Sequence, residues 1–250
     1  MVQSYKLFLY LCIVNWEIIH IEETDSTNSW LVQKCTGGQS PCAVVAEYQT
    51  AGRGCGTNTW ESERGQNLLY SMMIHPKDVP ANKQFVVSMA VANSIVKVVS
   101  KYVKSVSVKW PNDIYVGDRK LCGILIENRL QGGVIKDSII GVGLNVNQLR
   151  FESDAPNPIS LANLTGRLFD REKLLQELLE TFDVELADLE GVRARYLSQL
   201  YRRKGFHRYR DTWGESYAEI VTVEDDGHLQ LRDVDGHINR YAFKEVTFII

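Results

Sequence analysis

Residues 49–60 read QTAGRGCGTNTW, with a G-x-G-x-G spacing at 52–56 around Arg53 and Cys55. Glycines leave backbone N–H groups open to an anion, and the planar fork of Arg53 matches a carboxylate or a phosphate. The spacing is not a dinucleotide fingerprint, which needs G-x-x-G opening a helix, nor a P-loop, which ends in G-K-[ST]. A flexible hairpin tip is the competing reading of the same residues. Fixing such a loop costs about 1–2 kcal/mol of backbone entropy per residue, so it is expected to be a mobile lid that a ligand orders.

Three further stretches carry chemistry. VKWPNDIYVGDRKLCGILIE, 108–127, reads as two strands presenting Lys109 and Lys120, with Asn112 and Asp113 at the turn between them. Two fixed ammonium groups suit a triphosphate or the charge developing on phosphorus, although a surface hairpin with solvated lysines has the same pattern. DSTN, 25–28, places Ser26, Thr27 and Asn28 at a helix start, a set of donors and acceptors better suited to a neutral polar ring than to a charge. One of them is expected to be the N-cap. In IIGVGLNVN, 139–147, alternating glycines permit close approach of a ligand or a neighbouring strand, and Asn145 either reads an adenine-like edge or satisfies the strand end.

These groups need a scaffold. Strands are expected over 17–23, 43–48 and 67–74, the glycine loop being a long excursion between the last two, and over 106–110, 119–127 and 138–146. Phe85, Met89, Ala92, Val96, Val99 and Val103 recur at steps of four and three, predicting an amphipathic helix over 82–104 that packs on the sheet. Leu175, Leu178, Leu179, Phe182, Leu186 and Leu189 predict another over 170–190. After about residue 200, short alternating segments separated by Asp226-Gly227 and Asp235-Gly236 predict a small β-barrel. The fold class is therefore α+β, with a catalytic domain over 1–198 and a β domain over 199–250.

Composition excludes several classes. At 44% hydrophobic and 24% charged the 250-residue chain reads as globular, and a net charge of −3 gives no overall attraction for nucleic acid. The basic run YRRKGFHRYR, 201–210, is expected to be a solvated linker. Five cysteines (Cys12, Cys35, Cys42, Cys55, Cys122) without a C-x-x-C pair, and five scattered histidines, predict no structural metal and no disulfide framework. A reducing cytoplasm is the expected setting. The apolar run Leu7–Val14 is too short to span a bilayer and is expected to be a leading strand or the product of an over-called start codon, so no membrane is implied.

Taken in order, ETDSTNSW, EYQTAGRGCGTNTW, VKWPNDIYVGDRKLCGILIE and IIGVGLNVN resemble the catalytic core of the biotin protein ligases, over roughly residues 16–250. The resemblance implies a mixed-sheet catalytic domain of the class II synthetase type with a C-terminal SH3-like barrel. It implies an enzyme that activates biotin with ATP and Mg2+ as biotinoyl-5′-adenylate and passes biotin to a lysine of a biotin carboxyl carrier protein.

By the same resemblance Ser26, Thr27, Asn28 and Gln49 hold the ureido ring. Arg53, Lys120 and the backbone of Gly52, Gly54 and Cys55 close over the carboxylate and α-phosphate, and Gly123 lines the biotin site. Trp60 stacks near the adenine with Asn112 and Asn145 nearby, Lys109 serves the phosphates, and Asp113 places Mg2+ or accepts a proton; no residue is assigned to a resident metal. A lipoate or octanoate ligase and a non-catalytic biotin-binding regulator are the alternatives, and a homodimer is allowed for. Family members that also repress transcription carry a winged-helix domain before this core, where only about fifteen residues precede it in this sequence, so DNA binding is not implied. Cys55 and the following GTN replace the basic run usual in the family, which bears on how well the loop retains the adenylate.

Overall fold

The computed structural model describes residues 16–35, 41–76, 79–152 and 157–250. The expected leading strand at Leu7–Val14, and Cys12, lie outside them. Strand β1 (Glu17–Thr24), helix α1 (Thr27–Lys34) and strands β2 (Cys42–Gln49) and β3 (Leu68–Ile74) come first, followed by helix α2 (Phe85–Val99). Strands β4 (Val106–Lys109), β5 (Asp113–Val116), β6 (Arg119–Gln131) and β7 (Val134–Leu144) follow. They form one seven-stranded sheet in the order β1-β2-β3-β7-β6-β5-β4. Its β1–β2 ladder is parallel and its other ladders are antiparallel.

Side-chain alternation gives the sheet two different faces. On β2, Ala43 and Val45 join a large core with α2 and with helix α4 (Arg171–Ala187), while Cys42 and Val44 pack with Leu31 of α1, Met73 and Ile139. Helix α2 is buried nearly all round because it lies between the sheet, α4 and helix α5 (Leu189–Ser198). The single helix expected over 170–190 breaks at Asp188. This residue accepts from the Gly191 backbone N–H at 3.0 Å, ion-pairs with Arg195 at 2.6 Å, and so caps a new helix. A short helix α3 (Leu161–Thr165), opened by a Ser160–Asn163 capping box, was likewise not expected.

One correction bears on the site. Lys109 and Lys120 are not on neighbouring strands, because β5 lies between β4 and β6. Asp113 opens β5 directly opposite Lys109. Only three residues separate the WPND turn from the next turn signal at Gly117, too short a run for its alternation to stand out.

The last five strands, β8 (His207–Asp211), β9 (Gly214–Val223), β10 (Leu229–Asp233), β11 (Ile238–Tyr241) and β12 (Thr247–Phe248), form an antiparallel sheet in the order β11-β10-β9-β8-β12. Where a small barrel was expected, this sheet stays open, with β11 and β12 at its edges. Part of the basic run 201–210 is a strand instead of a linker. Within it Tyr209 is buried, and Arg208 and Arg210 pair with Glu215. This sheet docks on the first unit: Trp110 donates from Nε1 to the Gly227 carbonyl at 2.9 Å, and Phe243 lies 5.4 Å from the Trp110 ring and 5.9 Å from that of Phe85. Among the described residues no helix is long and apolar enough to cross a membrane.

Candidate functional site

A cleft of about 680 Å³ opens on the α1 side of the large sheet. Its floor is set by three glycines: Gly123 on β6 pairs directly with Gly143 on β7, and Gly141 lies two residues along the same strand. A Cβ on Gly123 would sit 2.8 Å from Cζ3 of Trp60, and one on Gly143 only 2.7 Å from its Nε1. A Cβ on Gly141 would overlap the side-chain amide of Asn28. The alternating glycines thus let two side chains lie flat on the sheet, Asn28 from α1 and Trp60 from the glycine-rich loop. The Trp60 indole N–H is buried with no hydrogen-bond partner among the described residues.

Around Gly141 the groups are mostly hydroxyls and amides, bonded to one another and, through Asn28, to the Glu127 carboxylate. The Thr27 backbone N–H donates to Gln49 Oε1 at 2.8 Å, so Gln49 caps α1, and no side-chain capping bond comes from Ser26. The Ser26 hydroxyl is thereby left on the cleft wall. The Thr27 hydroxyl lies 3.0 Å from Gln49 Oε1 and 2.7 Å from Ser71 Oγ. Ser71 Oγ in turn lies 2.6 Å from Asn28 Oδ1, and Asn28 Nδ2 donates to Glu127 Oε2 at 2.8 Å. Bonds on both sides of the Asn28 amide fix which way it faces.

Toward Gly123 and Gly143 the cleft turns cationic. Lys120 Nζ lies 5.5 Å above the Trp60 ring and pairs with Asp113 Oδ1 at 2.7 Å, both side chains being largely buried. The Lys120 backbone is clasped by the segment after β7: its N–H donates to the Asn157 carbonyl at 2.8 Å and its carbonyl accepts from the Ile159 N–H at 2.9 Å. Asn145 holds that clasp by donating from Nδ2 to the Ile159 carbonyl at 3.1 Å.

The glycine-rich loop is a tight hairpin folded onto the cleft. Gly54 N–H donates to the Asn58 carbonyl at 2.7 Å, Trp60 N–H to the Gly52 carbonyl at 2.9 Å, and Arg53 bridges Thr59. Arg53 Nη2 pairs with Glu127 Oε1 at 2.6 Å.

The structure brings Ser26, Thr27, Asn28, Gln49, Arg53, Gly54, Cys55, Trp60, Asn112, Asp113, Lys120 and Gly123 to one cleft. Three expected residues do not line it. Gly52 sits behind the hairpin, where a Cβ would meet the Trp60 carbonyl at 2.6 Å. Asn145 is the support just described. Lys109 lies against the C-terminal sheet, its Nζ 5.2 Å from the ring centroids of both Tyr115 and Phe248. Sequence reasoning passed over Ser71 and Glu127, and read Gly141 and Gly143 as points of close approach without assigning them to the site. The two glycines were signalled by their spacing of two, which puts both on one face, and Glu127 by sharing that face with Gly123.

Burial holds the Lys109 ammonium below its usual pKa, with Asp113 opposing the shift. A lysine depressed in the folded state carries its desolvation cost at low pH and loses it as pH rises from the folded to the unfolded value near ~10.4. Lys109→Met is therefore expected to melt higher than the parent at neutral pH. The gap should narrow as pH approaches that value, which paired thermal melts at several pH values will check.

Beside the cleft, sharing Cys55, Asn112, Ile124 and Leu125 with it, is a second lobe of about 790 Å³ that reaches Gln84, Phe85 and Phe243.

The model of the Biotin/lipoate A/B protein ligase family matches residues 20–145. The chain is 36% identical over 189 residues to the bifunctional ligase/repressor BirA of Salmonella typhimurium, covering 73% of this chain and 58% of that protein. It is 31% identical over 229 residues to a biotin–[acetyl-CoA-carboxylase] ligase of Mycobacterium tuberculosis, covering 86% and 83%. A solved structure of biotin protein ligase from Aquifex aeolicus in complex with biotin and ATP aligns with a TM-score of 0.75 at 23% identity over 92% of this chain and 97% of that one, a likeness of fold. The chain spans about three-fifths of the length of the bifunctional relatives that it matches.

Proposed function

We propose that this chain, which belongs to the biotin/lipoate A/B protein ligase family, activates biotin with ATP as biotinoyl-5′-adenylate and transfers the biotinoyl group to a lysine of a biotin carboxyl carrier domain. The observation that carries this reading is the polarity gradient in one cleft, neutral hydroxyls and amides around Gly141 and a cation over Gly123 and Gly143. Gly141 and Gly143 are two residues apart on a strand, roughly 7 Å. A ureido ring has N–H and C=O groups that must be paired when buried, and Ser26, Thr27, Asn28 and Gln49 supply such partners. An octanoyl or lipoyl chain carries no such group and makes no use of these donors and acceptors. That asymmetry favours biotin over the related acyl substrates, as does the name of the Mycobacterium relative.

In the first half-reaction a biotin carboxylate oxygen attacks the α-phosphorus, an O–P bond forms, and pyrophosphate leaves. Lys120, fixed through its backbone clasp and by Asp113, stabilises the charge on the reacting oxygens. The nucleotide has room in the adjoining lobe beside Asn112 and Phe243. Mg2+ would arrive with the triphosphate and neutralise its charge. Asp113 is the carboxylate that lines the cleft and has the hard oxygen such an ion takes.

In the second half-reaction the acceptor amine attacks the acyl carbon and AMP leaves. A free lysine with a pKa near ~10.4 must first shed a proton, and Asp113 is the carboxylate on the cleft lining that this reading assigns to take it. Asp113→Asn is expected to slow both half-reactions. Transfer from preformed adenylate at an unaltered rate would restrict Asp113 to holding Lys120.

The defining experiment incubates the purified chain with Mg-ATP, a carrier domain, and either biotin or lipoate, following pyrophosphate and acceptor mass. A biotinoyl mass gain is expected; lipoyl transfer, or no turnover, would overturn the reading.

A further inference from the structure

The cleft's two cations do not face the same place. Glu127 lies four residues beyond Gly123 on β6, roughly 13 Å of strand, and on the same face. Lys120 is held at the Gly123 end, over Trp60, while the Arg53 guanidinium is carried to the Glu127 end. An acyl-phosphate beside Lys120 therefore lies beyond the Arg53 fork as it stands, although the Arg53 backbone belongs to the hairpin that covers the cleft.

Glu127 is two-ended. Its Oε2 accepts from Asn28 at 2.8 Å and its Oε1 from Arg53 at 2.6 Å, so one carboxylate joins the neutral end of the cleft to the covering hairpin. The Asn28 end is inside: Asn28 is buried, and its amide is also bound through Ser71. The Arg53 end is at the rim, with side chains 44% and 37% exposed for Arg53 and Glu127, respectively. Arg53 also approaches Ser29 Oγ at 3.5 Å, which adds little hold. A half-exposed pair is worth little in water, so a substrate anion can take the guanidinium from it.

Resting on the biotin-ligase reading above, we propose that Glu127 is a positioning residue that parks Arg53 away from the reacting end until an anionic ligand competes for it. Glu127 stands in for the substrate anion: it satisfies the Arg53 fork until a carboxylate or α-phosphate takes the guanidinium over. The inner oxygen keeps its bond to Asn28 throughout, so the ring-binding end is undisturbed by the exchange.

Three ligands that share the ureido ring test this by calorimetry on the full chain: biotinol, which is neutral, biotin, and biotinol-5′-AMP, a stable phosphodiester. In Glu127→Gln, the preference for one or both anionic ligands over biotinol is expected to rise about threefold to fivefold, the scale of a half-exposed pair. Loss of the Asn28 contact affects all three ligands alike and cancels in the ratio. Losing a negative charge also attracts anions at long range, an effect that persists when Arg53 is absent. The rise must therefore vanish when Glu127→Gln is made in an Arg53→Ala background.

An unchanged or reduced ratio in Glu127→Gln, or a rise that survives in Arg53→Ala, would overturn the proposal. Gln is isosteric with Glu, so folding is preserved; Glu127→Asp, which keeps the charge on a shorter arm, should return an intermediate ratio. If the parent chain binds none of the three ligands, the biotin reading itself fails, a result distinct from an unchanged ratio.

Discussion

Lys120→Ala is expected to slow biotin-dependent pyrophosphate release by about 10²–10³-fold, the scale of removing one preorganised donor from a site where charge develops. Two features of the geometry set so large an effect. Lys120 is held at both ends, its backbone by Asn157 and Ile159 and its ammonium by Asp113 at 2.7 Å, so little reorganisation is needed when the reacting oxygens arrive. Its removal also leaves the Asp113 carboxylate unpaired in the cleft, where a free negative charge repels the triphosphate. Lys120→Arg should recover only part of the rate, because a planar fork does not reproduce a compact ammonium packed over the Trp60 ring. Single-turnover pyrophosphate release at saturating biotin and ATP is the measurement, with thermal melts to show that the variants stay folded. A rate within threefold of the parent would remove Lys120 from the activation step.

Much of this cleft was legible in the sequence because its parts are short and local. DSTN opens α1 as expected, and the glycine loop joins β2 to β3. What escaped was set by partners distant in the chain. Ser26 looks like a cap from its type, yet the capping acceptor comes from Gln49 at the end of β2, which frees Ser26 for the cleft. Lys109 and Lys120 look equivalent in KWPND…DRK, yet the intervening strand β5 sends one to the cleft and the other beneath Phe248 of the C-terminal sheet. The glycines of the loop mark close approaches but not the partner they admit. In the structure the loop is a hairpin held by its own backbone bonds and by Trp60 lying on the sheet. Glu127 and Ser71 are polar residues inside strand sequences, and only the register of β3, β6 and β7 places both against Asn28.

The glycine floor yields the second large effect. Gly143→Ala adds a methyl group where the Trp60 indole already lies, with Nε1 2.7 Å from the new atom. Backbone on a paired strand cannot retreat without breaking its ladder to β3 and β6, so Trp60 must move. Overpacking of this kind costs about 1–3 kcal/mol, which corresponds to biotin binding weakened by roughly five- to 150-fold if the displaced ring enters the ligand's space. The route of the damage can be separated from its size. The overlap is with the indole ring, so Trp60→Ala, which empties that volume, should restore part of the affinity in Gly143→Ala while weakening binding in the parent chain. Such non-additivity is the signature of two residues competing for one volume. Additive losses in the double variant would mean that Gly143 serves the ligand directly and that Trp60 is a bystander on the floor.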